Sequence, residues 1–142
     1  MTEDPWDQEA QRDAWLEQAG MALGAAEEMM LGGLHEEAIT NSFLAMLYAA
    51  RAALSGRHEE IAGWDDVVER FREAALSMGL SPGNRRALVI VRDLYYRVAV
   101  SGEMEADPLT TSACLNDARA FLLEISRVLE TGGGGSHRGG RE

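Results

Sequence analysis

Residues 38–54 read AITNSFLAMLYAARAAL and carry the clearest structural signal in the chain. The segment combines alanines with large aliphatic and aromatic residues and lacks glycine and proline, which favours a helix that is apolar almost all round. Such a helix must contact other parts of the structure on more than one side. We therefore predict that it is the central helix of an all-α fold or forms a subunit interface.

Helix starts are marked at three places by a capping residue followed by proline: Asp4-Pro5, Ser81-Pro82 and Asp107-Pro108. A capping oxygen and a proline with its φ angle already near the helical value together favour the first turn of a helix. Apolar spacing and glycine stops predict five helices, over residues 5–31, about 34–54, about 64–78, 82 to about 101 and 108 to about 130. The connections are short, so we expect an antiparallel helical bundle.

We expect a single domain over residues 1–131, followed by a flexible tail over residues 132–142 that is mostly glycine. Helical spacing predicts which side chains of the last two helices are buried. On the fourth helix these are Ala87, Leu88, Val91, Leu94, Tyr95 and Val98; on the fifth they are Leu109, Ala113, Ala118, Phe121, Leu122, Ile125 and Leu129. The single cysteine, Cys114, lies near this face and is expected to be buried and unreactive.

The chain contains thirteen arginines and no lysine, against eight aspartates and sixteen glutamates, for a net charge of -11. The missing lysine excludes a P-loop lysine and a Schiff base to a cofactor. The acidic balance argues against coating of DNA or RNA, because that binding depends on cationic side chains. No uncharged apolar run is long enough to span a membrane, and the lone cysteine fits a reducing cytoplasm.

The sequence lacks the common motifs for binding a metal or a cofactor. The sequence has no Glu-x-x-His pair of the kind that binds metal in helical bundles, and no glycine-rich phosphate loop after a strand. No serine or cysteine has the setting of a nucleophile. We therefore expect no metal and no cofactor, and we assign no catalytic residue.

Two polar strips are the candidate sites. On the fourth helix, Arg85, Arg92 and Tyr96 share one arc; on the second helix, Glu37, Asn41, Tyr48 and Arg51 share another, together with Thr40. Our hypothesis is that the strips face each other, with Glu37 or Asn41 as the partner of Arg92 and Tyr96. The arginine would either recognise a phosphate or base, or pair with a carboxylate across a bundle or dimer interface.

Three segments resemble the HEPN domain family. Residues 35–54, HEEAITNSFLAMLYAARAAL, are similar to its second helix; residues 92–96, RDLYY, resemble its Arg-polar-x-x-Tyr stretch; and residues 118–122, ARAFL, resemble its closing helix. The resemblance extends from Trp15 to Leu129. It implies an all-α bundle that usually forms homodimers.

The resemblance also sets expectations for function. Catalytic HEPN proteins are metal-independent ribonucleases that use an arginine and a later histidine separated by four to six intervening residues. Arg92 matches that arginine, but Arg97 stands at the first position allowed for the histidine, and no histidine follows before the tail. Arg51 and His58 have suitable spacing but lie at the second helix, which Gly56 is expected to end before His58.

The chain is therefore more similar to HEPN members that are not nucleases. These often act with a small nucleotidyltransferase partner, in toxin–antitoxin or nucleotide-linked stress and defence systems. We expect a cytoplasmic homodimer that binds a nucleotide or RNA ligand through Arg92 and Tyr96. A metal-independent endoribonuclease and a helical interaction module without a ligand remain the alternatives.

Overall fold

The computed structural model describes the backbone of residues 5–57 and 60–141 and the side chains of residues 7–57 and 60–131. Within these ranges the chain forms α1 (Pro5–Leu31), α2 (His35–Ala53), α3 (Trp64–Ala74), α4 (Pro82–Tyr95) and α5 (Pro108–Arg141), and a π-helical segment (Tyr96–Val100) directly follows α4. These described ranges contain no strand. The predicted all-α bundle is confirmed.

Two of the three predicted helix starts are capped as expected. The Ser81 hydroxyl accepts a hydrogen bond from the Asn84 backbone N–H at 3.4 Å, and Pro82 begins α4. The Asp107 carboxylate accepts from the Thr110 N–H at 2.7 Å and from the Thr110 hydroxyl at 2.9 Å. The third predicted cap, Asp4, lies outside the described residues.

The helix ends differ more from expectation than the starts do. α1 ends where predicted, because Gly33 takes a φ of 80° and the Leu34 and Gly33 N–H groups bond back to the Met29 and Met30 carbonyls. α3 ends four residues early, at Ala74, and turns lead on to Gly79. α5 continues to Arg141, past its expected end near residue 130. The flexibility of residues 132–142 stays a prediction.

The second helix occupies the centre of the fold, as its sequence predicts. α2 contacts α1, α3, α4, α5 and the π-helical segment. Its face toward the core includes a stripe of fully buried alanines, and α1 buries alanines in the same way. The α2 stripe is Ala38, Ala45, Ala49 and Ala52; the α1 set is Ala19, Ala22 and Ala26. Small side chains at these positions let the two backbones approach closely.

The burial expected for α5 is wrong at its start. Leu109 is 82% exposed and Ala113 is also exposed. At 100° per residue, these two positions lie roughly 140–180° away from Ala118, which is at the centre of the buried face. That face is formed by Thr111, Cys114, Leu115, Ala118, Phe121 and Ile125. Phe121 packs against Phe71 of α3 at a ring-centroid distance of 5.3 Å.

Candidate functional site

A pocket of about 390 Å³ opens between α2, the start of α3 and the junction of α4 with the π-helical segment. It is lined by Thr40, Phe43, Leu44, Leu47, Trp64, Asp65, Arg92, Tyr95 and Tyr96. Two of the predicted site residues, Arg92 and Tyr96, therefore share one concave surface. The walls are mostly apolar, with a few polar groups, as is usual for small-molecule sites.

Arg92 is the cation of this pocket. Its side chain is half-buried, and within the described part of the chain its guanidinium makes no hydrogen bond or ion pair. The nearby Glu69 is bonded to Arg72 at 2.8 Å, and this bond is the main reason that the pKa of Glu69 is lowered; Arg92 contributes least among the named causes. Arg92 is therefore available to an anionic group that enters the pocket.

Aromatic rings line the same pocket as Arg92. The Tyr95 ring packs against Phe43 at 5.0 Å between centroids and against Tyr96 at 5.7 Å. Tyr96 and Trp64 remain 45% and 41% exposed, so each offers ring surface to a ligand. The π-helical turn begins at Tyr96, and turns of this kind are frequent at functional sites.

Comparison with known families identifies the fold. The family model described as the HEPN domain matches residues 13–128, which include most of α1, all of α2 to α4 and two thirds of α5. The chain belongs to the HEPN domain family. A search of curated proteins finds no match.

In this HEPN domain, the first position after Arg92 that could hold the catalytic histidine of the family is occupied by Arg97. Its guanidinium is bonded to Asp93 at 3.1 Å, one helical turn earlier, and it does not line the pocket. The other suitably spaced pair, Arg51 and His58, is not joined by one helix, since α2 ends at Ala53. His58 lies outside the described residues.

The partner hypothesis for the second polar strip is wrong in its details. Asn41 donates its side-chain amide to the Glu37 backbone carbonyl at 3.0 Å and to the Met29 Sδ at 3.2 Å, so it is directed at α1. Glu37 is exposed and does not line the pocket. Thr40, between them, is the polar residue of the strip that reaches the Arg92 pocket. A side chain one position away on a helix points about 100° away, which explains the difference.

Tyr48 and Arg51, also predicted, belong to a separate aromatic cluster beside the pocket. Tyr48 stacks on Trp15 at 5.8 Å and meets Trp64 edge-on at 5.5 Å, while the Arg51 guanidinium lies over the Trp15 ring at 5.5 Å. Trp64 belongs to both groups, because it also lines the pocket. Tyr48 and Arg51 are therefore placed to support Trp64 rather than to touch a ligand in this pocket.

Arg85 is not part of the Arg92 pocket. It lies on a separate groove between α3 and α4, and its guanidinium donates to the Leu80 carbonyl at 3.3 Å. Arg85 and Arg92 lie on the same arc of α4 but are seven residues, or roughly 10 Å, apart along the helix. That distance is enough for the two side chains to have different neighbours.

Sequence reasoning did not select Trp64, Asp65 or Tyr95 as site residues. Tyr95 was assigned to the core face of the fourth helix, and neither Trp64 nor Asp65 was proposed as part of a site. The sequence did contain one signal for Trp64. This residue begins α3 and is followed by two aspartates, so its neighbours in the sequence offer little apolar surface to cover the ring. The contact between α3 and α4 that completes the pocket connects distant parts of the chain.

The described residues show neither a metal-binding cluster nor a helix that could span a membrane. No group of three or more histidines, cysteines, aspartates and glutamates there is arranged to hold a metal ion. No helix in the described ranges is both long and apolar enough to cross a bilayer.

Proposed function

We propose that this HEPN protein is a binding module that takes a nucleotide into the Arg92 pocket. The observation that carries the proposal is a half-buried guanidinium without a carboxylate partner in the described structure, beside two partly exposed aromatic rings. The phosphate of the ligand bonds to Arg92. The base lies against the rings of Trp64 and Tyr96.

Both halves of this ligand match the chemistry of the pocket. Stacking of a base on an aromatic side chain contributes about 1–3 kcal/mol. A guanidinium binds phosphate through two parallel hydrogen bonds, which fix the orientation of the phosphate as well as holding it. The family resemblance also points to Arg92 and Tyr96. The pocket adds the ring of Trp64 to that of Tyr96.

The charges of the pocket favour a monophosphate over a triphosphate. Among the described residues that line the pocket, Arg92 is the one cation, and Asp65 places a carboxylate there as well. A second or third phosphate would therefore meet no further cation and would be repelled by Asp65. The ligand class that fits is a nucleoside monophosphate or a single nucleotide at the end of an RNA chain.

Membership of the family supports a proposal for the wider role. We propose that the protein acts as a cytoplasmic homodimer with a nucleotidyltransferase-type partner, in a toxin–antitoxin or nucleotide-linked stress or defence system. The pocket supports this role because such a partner produces or consumes nucleotides. Light scattering of the purified chain tests the dimer, and a mass near that of one chain would contradict it.

Calorimetric titration with the four ribonucleoside monophosphates tests the ligand. We expect saturable binding of at least one of them, and an at least tenfold weaker affinity for Arg92→Ala, because a charge-assisted hydrogen bond contributes about 1.5–3 kcal/mol. Arg97→Ala is the matched control, since it removes a guanidinium from the next turn that is already paired with Asp93. Its affinity should equal that of the wild type.

Other outcomes decide between the alternatives. Absence of saturable binding, or equal loss in both variants, contradicts the nucleotide pocket and leaves the ligand-free interaction module. RNA cleavage in the presence of EDTA that is abolished in Arg92→Ala would replace the binding function by a metal-independent ribonuclease. The matching nucleosides without phosphate should bind more weakly than the monophosphates, because they cannot engage Arg92.

A further inference from the structure

A second concave surface lies between α3 and the first half of α4. This α3–α4 groove has a volume of about 500 Å³ and shares no lining residue with the Arg92 pocket. It is lined by Arg72, Leu76, Arg85, Arg86, Val89 and Ile90. Nothing in the proposed nucleotide function uses it.

The floor of the groove is aliphatic and open to solvent. Leu76 and Ile90 are 69% and 57% exposed, and Val89 between them is half-buried. Leu76 lies in the turns after α3, and Val89 and Ile90 lie on α4, so the groove brings together apolar side chains from two segments of the chain. None of the described residues that line the groove is aromatic, so these residues offer no stacking surface to a nucleic-acid base.

The rim of the groove is cationic in a protein whose net charge is -11. Arg72 is paired with Glu69 at 2.8 Å. Neither Arg85 nor Arg86 forms an ion pair in the described part of the chain; Arg85 donates only to the Leu80 carbonyl, and Arg86 is exposed. Two positive charges beside the aliphatic floor are therefore left without a neutralising carboxylate.

We propose that the α3–α4 groove binds an acidic amphipathic helix of a partner protein. The apolar face of that helix packs on Leu76, Val89 and Ile90, and its carboxylates pair with Arg85 and Arg86. A helix laid in a groove between two helices is a common recognition mode, and arginine is enriched at interfaces because it binds carboxylates in a fixed geometry. Complementary charge selects an acidic partner and speeds its association.

A synthetic peptide is the probe for this site. It is a fluorescein-labelled helical peptide with leucine at positions i, i+3, i+4 and i+7 and glutamate on the remaining face, titrated with the full chain by fluorescence anisotropy. We expect saturable binding that weakens as salt is raised, because the rim contacts are between charges. Arg86→Glu and Ile90→Ser should each weaken binding at least tenfold.

Two matched controls make the same chemical changes elsewhere. Arg57→Glu reverses the charge of another exposed arginine, and Leu109→Ser removes an aliphatic side chain that is 82% exposed. Both should bind the peptide as tightly as the wild type. Circular dichroism of all four variants shows whether they are folded, and the high exposure of Ile90 and Arg86 means that neither change should unfold the protein.

Four results of the peptide titrations would overturn the proposal. They are no saturable binding of the peptide, equal loss in the control variants, equal binding of a peptide with lysine in place of glutamate, and displacement of the peptide by a short RNA that binds the same residues. Self-association that is abolished by Arg86→Glu and Ile90→Ser would assign the groove to a second copy of the chain and would likewise overturn it. Nucleotide affinity should be unchanged in both groove variants, which separates this test from that of the Arg92 pocket.

Discussion

At the scale of single residues, burial decides what the polar groups of the core can do. The Cys114 thiol is buried, and loss of solvation raises its pKa to about 12; the Ser42 hydroxyl lowers it by less than burial raises it. The thiolate is therefore absent at neutral pH, and the thiol is unreactive, as the sequence predicts. Ser42 is itself fully buried, and its Oγ has no hydrogen bond of regular geometry in the described structure.

Two buried hydroxyls make a matched pair of substitutions. Thr111 is as buried as Ser42, but its Oγ1 donates to the Asp107 carbonyl at 2.7 Å. We expect Ser42→Ala to leave stability unchanged or raise it by up to about 1 kcal/mol, because it removes a buried polar group that has no hydrogen bond of regular geometry in the described structure. Thr111→Val should lower stability by about 1 kcal/mol, because it removes a satisfied hydrogen bond.

Urea denaturation of both variants and the wild type measures the two changes in the free energy of unfolding. A destabilisation of Ser42→Ala equal to that of Thr111→Val would mean that the Ser42 hydroxyl has a partner after all, and the weak contact with the Cys114 thiol would be the first candidate.

At the scale of helices, the start of α4 is held by its own cap and by a side chain from α5. Glu124 accepts hydrogen bonds from the Ser81 N–H at 3.1 Å, from the Ser81 hydroxyl at 3.0 Å and from the Asn84 amide at 2.7 Å. A carboxylate at a helix N-terminus also interacts favourably with the helix dipole. These bonds, led by the one from Asn84, lower the pKa of Glu124.

Replacement of Glu124 by alanine should lower stability by about 1 kcal/mol at pH 7, a value that allows for solvent screening of a largely accessible group. The effect depends on pH in a defined direction. Because the pKa is lower in the folded state, the carboxylate stabilises the fold above its ordinary pKa of about 4.5, and this contribution is lost as pH falls through the lowered value.

The difference in unfolding free energy between wild type and Glu124→Ala should therefore shrink below roughly pH 4, close to the ordinary titration range of a glutamate. Glu130→Ala, an exposed glutamate further along α5, is the control and should have little effect at any pH. A difference for Glu124→Ala that stays constant down to pH 2 would show that the charge of the carboxylate does not matter here.

At the scale of the whole molecule, α1 and α5 are joined in two ways. Buried side chains on both helices belong to one hydrophobic core, in which Phe121 packs against Phe71 and is fully buried. On the surface, Arg119 of α5 bonds to Glu27 of α1 at 2.9 Å, with both side chains more than 40% exposed. Physical reasoning assigns nearly all of the stability to the first kind of contact.

Phe121→Ala should lower the free energy of unfolding by about 3–5 kcal/mol, because it leaves a cavity in the core. Arg119→Ala should lower it by less than about 1 kcal/mol, and a double-mutant cycle with Glu27→Ala should give a coupling energy in the same small range. Thermal and urea unfolding measure both. A coupling energy larger than the cost of Phe121→Ala would mean that the surface pair, not the core, holds α5 to the bundle.

A residue of the candidate site could be predicted where its position depends on one helix alone, and could not where it depends on contacts between helices. Arg92 and Tyr96 were found because they are one helical turn apart, so their proximity is a local property. Arg85 lies on the same arc of α4 but faces a different groove, because α3 and α2 pack against different parts of α4. Which neighbour covers each turn depends on contacts between helices, and periodicity within one helix carries no information about them.

By itself, the sequence determined where α4 and α5 begin and which helix is central. Both are properties of a single segment. A cap and a proline act within one helical turn, and a helix that is apolar all round must be buried on all sides, whichever helices surround it. Only the tertiary structure decided that Trp64 and Asp65 line the same pocket as Arg92, and that Thr40 rather than Asn41 lines it with them. Those contacts depend on how helices distant in the chain are rotated and packed, which is set by the combined packing of the core and not by any single segment.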